Sequence, residues 1–423
     1  MELKNNNDGL EQLFSAAHRS TGNGINREQR GIKGSVGSPV VELVDKLVQD
    51  ALLRDASDIH IEPGNTCGRV RYRINGLLEI VFRNINPELY SHIISRIKIM
   101  GRMNIAETRL PQDGRFSYEY KGQEIDVRIS VVPLIVGEKA VLRLLNRGSR
   151  FMEVTGLGLS PENEKVFMDL CRDGIGGVIF AGPVNSGKTT ALYAALYLLN
   201  NTAKNIVTIE DPVEYRLQGI NQIQVNSKIK LDFEEALEAV LRQDYDALAI
   251  GEVRNSNVAN ILIKSSLAGH LVFATIHTSR AVKVIYRLLN MGIEPYYLAA
   301  ALRGIIAQRL VPRLCQYCRK SYIVEPESEI ADFLGDDYHE GLILYRKHGC
   351  ERCGGRGIDG RIAIHEILRF SRALRECIGS DPHADEMQKA IADSGMITME
   401  RDGFLKATKG LVEIEEIMKL DNG

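Results

Sequence analysis

The chain has 423 residues, 44% of them apolar and 26% charged, the make-up of a globular protein of two or three domains. A formal net charge of −2 argues against bulk nucleic acid as the main partner, because such binding needs a basic surface to displace counterions. No apolar run approaches the roughly 20 residues that cross a bilayer, and the opening MELKNNNDGL lacks the apolar core of a signal peptide, so a cytosolic protein is expected.

Residues 1–38 are rich in Asn, Gly, Ser and charge, and read as a mostly disordered tail with a short helix around Leu10 to Ala17. Order is expected from Pro39, where Leu43, Val44, Leu47, Val48 and Leu52 recur at helical spacing after Ser38-Pro39. The period then falls to two. Val70, Tyr72 and Ile74 alternate with Arg69, Arg71 and Arg73, and Asn75-Gly76 turns the chain into Leu77 to Phe82. A helix carrying Ile93, Ile97 and Met100 follows, then strands over Arg115 to Tyr120 and Glu124 to Val132 joined by Lys121-Gly122. This pattern predicts a small α+β domain over 39–147, with a Gly-punctuated linker over 148–158.

From 159 to 423 the chain reads as an α/β domain. Val178 to Ala181, Ile206 to Glu210, Leu248 to Gly251 and Leu271 to Ile276 are short and almost wholly apolar, with helical patterns between them. Strands of that kind belong to a parallel sheet buried on both faces. Between the first strand and the helix Thr190 to Leu199 lies Gly182-Pro183-Val184-Asn185-Ser186-Gly187-Lys188-Thr189, which fits GxxxxGK[ST] at every fixed position. Backbone N–H groups of such a loop, extended here through Thr190, form a concave positive site for phosphates. Lys188 is then placed to contact the β- and γ-phosphates, and the Thr189 hydroxyl to ligate Mg²⁺.

Acidic residues end the next strands: Glu210 and Asp211 after Ile209, and Glu252 after Ile250 and Gly251. Ligands of open α/β sheets bind at the carboxyl ends of the strands, so these carboxylates are expected to converge on the loop as general base and as a Mg²⁺ ligand through water. His277 stands at the carboxyl end of the fourth strand, where it can sense the γ-phosphate, whereas His270 enters that strand from the far end. Four of the seven cysteines form two pairs, Cys315-x-x-Cys318 and Cys350-x-x-Cys353. In a reducing compartment this spacing favours a closed tetrahedral Zn²⁺ site over disulfides.

The chain resembles the hexameric secretion ATPases of type II secretion systems and type IV pili, on their assembly branch. In the first domain the resemblance is carried by Ala56 to Pro63, Ile105-Ala106-Glu107, Leu110 to Arg115 and Asp126-Val127-Arg128. Beyond it, the phosphate loop, Thr208 to Tyr215, Gly251-Glu252-Val253-Arg254, Gly269-His270 to His277-Thr278, Ala307 to Leu310 and the tetracysteine insert over about 314–360 carry it. It implies a RecA-like P-loop motor domain preceded by a PAS-like α+β domain, in a homo-hexamer with ATP between subunits. Arg109, Arg115 and Arg128 match arginines that reach the nucleotide from the first domain. The insert is similar to that of assembly motors. Departures are Asn185 for a Gly, Tyr245 for a Pro, Asn255 for an Asp, Ala268 for a Thr, and Ser279-Arg280 for Asn-Asp. Only the short tail stands where many relatives carry a further N-terminal domain.

The expected function is therefore ATP hydrolysis to ADP and phosphate, powering assembly of a type IV pilus or a type II secretion pseudopilus. Such a motor is cytoplasmic, docked at the inner membrane through a platform protein and other apparatus components, with no stable nucleic-acid partner. A RecA-like DNA motor of helicase or conjugation type is the rival, opposed by the near-neutral charge and the lack of an aromatic-and-basic strand-binding stretch. A nucleotide-gated binding module with little turnover is the other, raised by Asn185 and Asn255.

Overall fold

The computed structural model describes residues 39–420 apart from 75, 121, 146–152, 173, 227–228 and 381–383, together with 14, 15 and 17. Two compact units divide the chain, Met1–Arg147 and Gly148–Gly423. The expected disordered tail lies outside the described residues, save that Phe14, Ser15 and Ala17 are helical. Phe14 and Ala17 are fully buried in the core of the first unit, and Phe14 stacks on Phe82 with ring centroids 3.4 Å apart.

The first unit runs α1 (Pro39–Leu53), β1 (Ala56–Glu62), β2 (Gly68–Ile74), β3 (Leu77–Ile85), α2 (Pro87–Met100), β4 (Gln112–Tyr120), β5 (Gln123–Pro133) and β6 (Glu138–Leu145). Among the described residues its strands form one antiparallel sheet in the order β3-β2-β1-β6-β5-β4. The alternation seen in sequence decides the two faces. Val70, Tyr72 and Ile74 join Ile59, Ile61, Val127, Ile129 and Leu142 in the core with Leu43, Leu47, Ile93 and Ile97 of the helices. Both hairpins predicted from Asn75-Gly76 and Lys121-Gly122 connect the expected strands, and Gly76 and Gly122 sit at φ +85° and +74°. Asn75 and Lys121 lie outside the described residues.

On the opposite face, register sets Arg128 between Arg115 on one neighbouring strand and Arg143 on the other. Asp58, next in that row, accepts from Arg143 Nε at 3.0 Å. Lys98 is a deeply buried charge of this unit. Its ammonium donates to the Glu107 carbonyl at 2.8 Å and to the Glu138 carboxylate at 2.9 Å, tying the loop before β4 to the β5–β6 turn.

The second unit runs α3 (Pro161–Cys171), β7 (Gly176–Ala181), α4 (Lys188–Leu199), β8 (Ile206–Glu210), β9 (Asn221–Gln224), α5 (Phe233–Val240), β10 (Ala247–Ile250), α6 (Ser256–Leu267) and β11 (Leu271–Ile276). It continues through α7 (Ala281–Asn290), α8 (Pro295–Ala301), β12 (Leu302–Leu314), β13 (Lys320–Ile323), α9 (Glu329–Leu334), β14 (Ile343–Arg346) and β15 (Ile358–Arg369), and ends in α10 (Arg372–Gly379), α11 (Ala384–Ala392), α12 (Met399–Thr408) and α13 (Ile414–Met418). Its main sheet has the order β15-β12-β7-β11-β10-β8-β9, parallel throughout except for the β12–β15 edge. Every residue of β7, β8, β10 and β11 is buried, as the four apolar runs require of strands covered on both faces.

The long pair β12 and β15 was not legible as strand. β12 begins directly after Ala301 with no turn residue, so its apolar run merges with that of α8. The cysteine-bearing segment is an excursion from this pair: it leaves after Leu314, forms the small β13–β14 sheet, and returns at Ile358, which sits opposite Leu314.

Removing one partner of a buried ion pair strands the other, a loss of about 3–5 kcal/mol. Lys98→Met should therefore lower the stability of the first unit by about 3 kcal/mol in chemical denaturation, and Lys98→Met with Glu138→Leu should restore much of it.

Candidate functional site

β7 delivers the chain to Gly182 at the carboxyl edge of the sheet, and α4 leaves from Lys188. Between them the loop needs left-handed backbone twice, with Asn185 at φ +62° and Gly187 at +87°. Asn is the non-glycine side chain best suited to that region, so the departure at 185 leaves the loop's path intact. Gly182 is required by space, and Gly187 by its left-handed backbone. A Cβ on Gly182 would lie 2.3 Å from Ser186 Oγ, and one on Gly187 would lie 2.7 Å from Gln308 Nε2. Val184 is exposed at the tip, while Thr189 and Thr190 begin α4 behind Lys188.

Lys188 is 7% exposed, and its ammonium donates to the carbonyls of Gly182 at 2.7 Å and Pro183 at 2.8 Å. A third contact, 3.3 Å to His277 Nδ1, makes that nitrogen an acceptor and leaves the proton on Nε2, which faces Glu252 Oε1 at 3.4 Å. Glu252 Oε2 accepts from Arg254 Nε at 2.7 Å, and Arg254 Nη1 reaches Asp211 Oδ2 at 3.3 Å. A charged chain thus runs from Lys188 through His277, Glu252 and Arg254 to Asp211 along the carboxyl edge. Burial lowers the His277 pKa, with the Lys188 charge adding to it and Glu252 opposing, which agrees with a neutral ring. Burial likewise pulls Lys188 down to about 8 against the attraction of Glu252.

Glu210 differs from Glu252. It is buried in the core, with one carboxylate oxygen receiving the Tyr193 hydroxyl and the other receiving Thr208 Oγ1 at 2.6 Å and Gln222 Nε2 at 3.1 Å. The Tyr193 oxygen in turn accepts from the backbone N–H of Glu214 at 3.2 Å, and Gln222 Nε2 also donates to the Tyr215 carbonyl at 2.9 Å. Glu210 thereby fastens the segment carrying Asp211. Its partners Tyr193 and Gln222 went unnoticed in the sequence, because a Tyr on an apolar helix face and a Gln in a short edge strand carry no signal of their own.

The four cysteine sulfurs lie within 4.8 Å of one another, with Cys315–Cys350 at 3.9 Å, Cys318–Cys353 at 3.8 Å and Cys350–Cys353 at 3.7 Å. A tetrahedron with Zn–S bonds of about 2.3 Å has edges of about 3.8 Å, so the set fits that ion. Backbone N–H groups of Gly349 and Gly357 point at Cys318 and Cys353 at 3.3 and 3.1 Å, as suits thiolates. In the first unit Arg115 and Arg128 are cross-strand neighbours, while Arg109 stands in the loop before β4, exposed and paired with Glu107 at 3.0 Å.

Three of the remaining departures have local partners. Asn255 caps α6, its side chain accepting from Val258 N at 3.0 Å. Tyr245 stacks on His270 with centroids 4.3 Å apart. Arg280 lies between two carboxylates, Glu366 at 3.3 Å and Glu400.

A phosphate loop between a central strand and a helix, with a carboxylate and a histidine across from its lysine, defines a P-loop ATPase. The chain belongs to the family described as type II/IV secretion system protein, which matches residues 35–419. It is 42% identical over 381 residues to the type IV pilus assembly ATPase PilB of Thermus thermophilus, covering 90% of this chain and 43% of that protein. It is 39% identical over 383 residues to the type II secretion system ATPase E of Vibrio cholerae, covering 90% and 75%. Among solved structures, the pilus retraction motor PilT with bound ADP superposes with a TM-score of 0.62 at 25% identity, covering 89% of this chain and 96% of that one. The Legionella pneumophila ATPase DotB, at 17% identity and a TM-score of 0.66 over 93% of this chain, shares the fold. No helix among the described residues is long and apolar enough to cross a membrane.

Phosphates favour the charged form of Lys188, so nucleotide binding above pH of about 8 must take up a proton. Affinity for Mg-ADP should fall as pH rises through that value, approaching tenfold per unit, and calorimetry in buffers of different ionisation enthalpy should register the uptake. Lys188→Arg, which does not titrate there, should flatten the dependence. Metal analysis should find about one zinc per chain, lost in Cys350→Ser while Mg-ADP still binds.

Proposed function

We propose that the chain is the motor subunit of a hexamer that hydrolyses ATP to power assembly of a type IV pilus or a type II secretion pseudopilus. It would work in the cytoplasm, docked on an inner-membrane platform protein with other components of the apparatus. The observation that carries the reading is the position of Glu252. Its carboxylate stands at the mouth of the phosphate loop, aligned by His277 and Arg254, whereas Glu210 spends both oxygens inside the core. Glu252 is then the group to accept the proton of the attacking water, and Glu210 a positioning residue behind Asp211. On nucleotide binding the Lys188 ammonium exchanges the carbonyls of Gly182 and Pro183 for phosphate oxygens. Thr189 is the residue to hold Mg²⁺, which when bound neutralises charge on the β- and γ-phosphates. Arg109, Arg115 and Arg128 would supply further positive charge to the γ-phosphate. The assembly direction is supported by the relatives, named as a pilus assembly ATPase and a secretion ATPase, and by the four thiols.

Glu252→Gln should bind Mg-ATP and lose at least about 100-fold in turnover. Equal loss from Glu210→Gln in a folded protein would overturn the choice of base. Arg115→Ala should lower the rate with affinity held within about tenfold, which is roughly 1.4 kcal/mol. Turnover should rise with the cytosolic part of a platform protein and not with DNA; the opposite result would favour a DNA motor.

A further inference from the structure

Gln308 lies in the middle of β12, the strand beside β7, and is 3% exposed. Its Nε2 donates to the Ser186 carbonyl in the phosphate loop at 2.7 Å. Its Oε1 is buried with no hydrogen-bond partner among the described residues. Burying an amide with half its capacity unused is unfavourable, and an apolar side chain of the same size would fill the place without that cost. The one bond it makes is therefore the reason for an amide there. The loop is also shaped around this residue. A Cβ on Gly187 would lie 2.7 Å from Nε2, so the lack of a side chain at 187 leaves room for the amide.

The peptide that Gln308 holds is the one that matters for phosphate. In a planar trans peptide the C=O and the following N–H point in opposite directions. Fixing the Ser186 carbonyl down onto β12 fixes the Gly187 N–H outward, toward the concave side of the loop. Rotation of the Ser186–Gly187 peptide turns partly on φ of Gly187, and a glycine, with no Cβ, resists that rotation little. We infer that Gln308 is a positioning residue for the nucleotide: through the Ser186 carbonyl it holds the Ser186–Gly187 peptide in the orientation that presents the Gly187 N–H to phosphate. The inference rests on the phosphate-loop reading above. Without the bond, only the fraction of loops in the competent orientation binds, and apparent affinity falls by that fraction.

The test uses the full chain. Gln308→Met keeps the length of the side chain and removes the donor. Its dissociation constant for Mg-ADP should rise about tenfold, with kcat at saturating Mg-ATP changed by less than twofold. Hydrogen exchange at the Gly187 and Lys188 amides should quicken, while exchange in β10 and β11 should not. Gln308→Glu, which sets a carboxylate against the Ser186 carbonyl, should bind more weakly than Gln308→Met. Unchanged Mg-ADP affinity and loop exchange in both variants would overturn the inference, as would exchange quickened equally throughout the sheet, which marks a general packing role. Lys188→Ala run alongside separates the two readings. If it too binds Mg-ADP normally, the phosphate-loop assignment fails; if it does not while Gln308→Met does, only the role of Gln308 fails.

Discussion

The second unit is organised around a lysine ammonium held at the edge of an apolar sheet. Four strands buried along their whole length bring their carboxyl ends to one line, and Lys188 sits there almost without solvent. A charge in that position has to be partnered. The partners are two carbonyls of its own loop and the His277 ring, so the ammonium ties the loop to itself and to the end of β11. Next along the edge stands the neutral His277 ring, with Glu252 one step beyond.

Two acids follow strand ends in the sequence, and their spacing from the strands does not separate their roles. Packing separates them. Thr208 and Tyr193 turn Glu210 inward, because a hydroxyl two residues earlier on the same strand and another on the covering helix lie on its side of the sheet. Past Gly251 the chain has left the sheet, so Glu252 meets only the groups of the edge. The first unit makes a comparable use of sheet geometry. Like charges directly across a pair of strands oppose one another, and here Arg115, Arg128 and Arg143 stand in one row with Asp58 beside Arg143.

Much of this was legible in the residues. The four apolar runs, the phosphate loop and the period-two alternation around Tyr72 have local causes, so they could be read locally. What escaped depends on contacts far apart in sequence. β12 looks like a continuation of the helix before it, and only its pairing with β7 and β15 makes it a strand. Gln308 consequently drew attention as part of a family pattern and had no assigned partner, since Ser186 is 122 positions away. The four cysteines were legible by spacing, but their closeness depends on Leu314 and Ile358 meeting across β12 and β15 to bring the two pairs together.

The departures from the family pattern bear on whether the chain turns over ATP or only holds it. If the site had decayed to a binding module, altered residues would be expected to leave gaps or strained backbone near the chemistry. Asn185 takes the left-handed turn that the loop requires, and Asn255 caps its helix as an aspartate would. Arg280 reverses the sign of the residue it replaces but lies between Glu366 and Glu400, and the Ala281 N–H also points to Glu366, so the start of α7 is held from two sides. Lys188, His277, Glu252 and Arg254 themselves keep the residues of the pattern. Asn185, Asn255 and Arg280 are each satisfied where they stand, and that distribution favours a motor over a nucleotide-gated module.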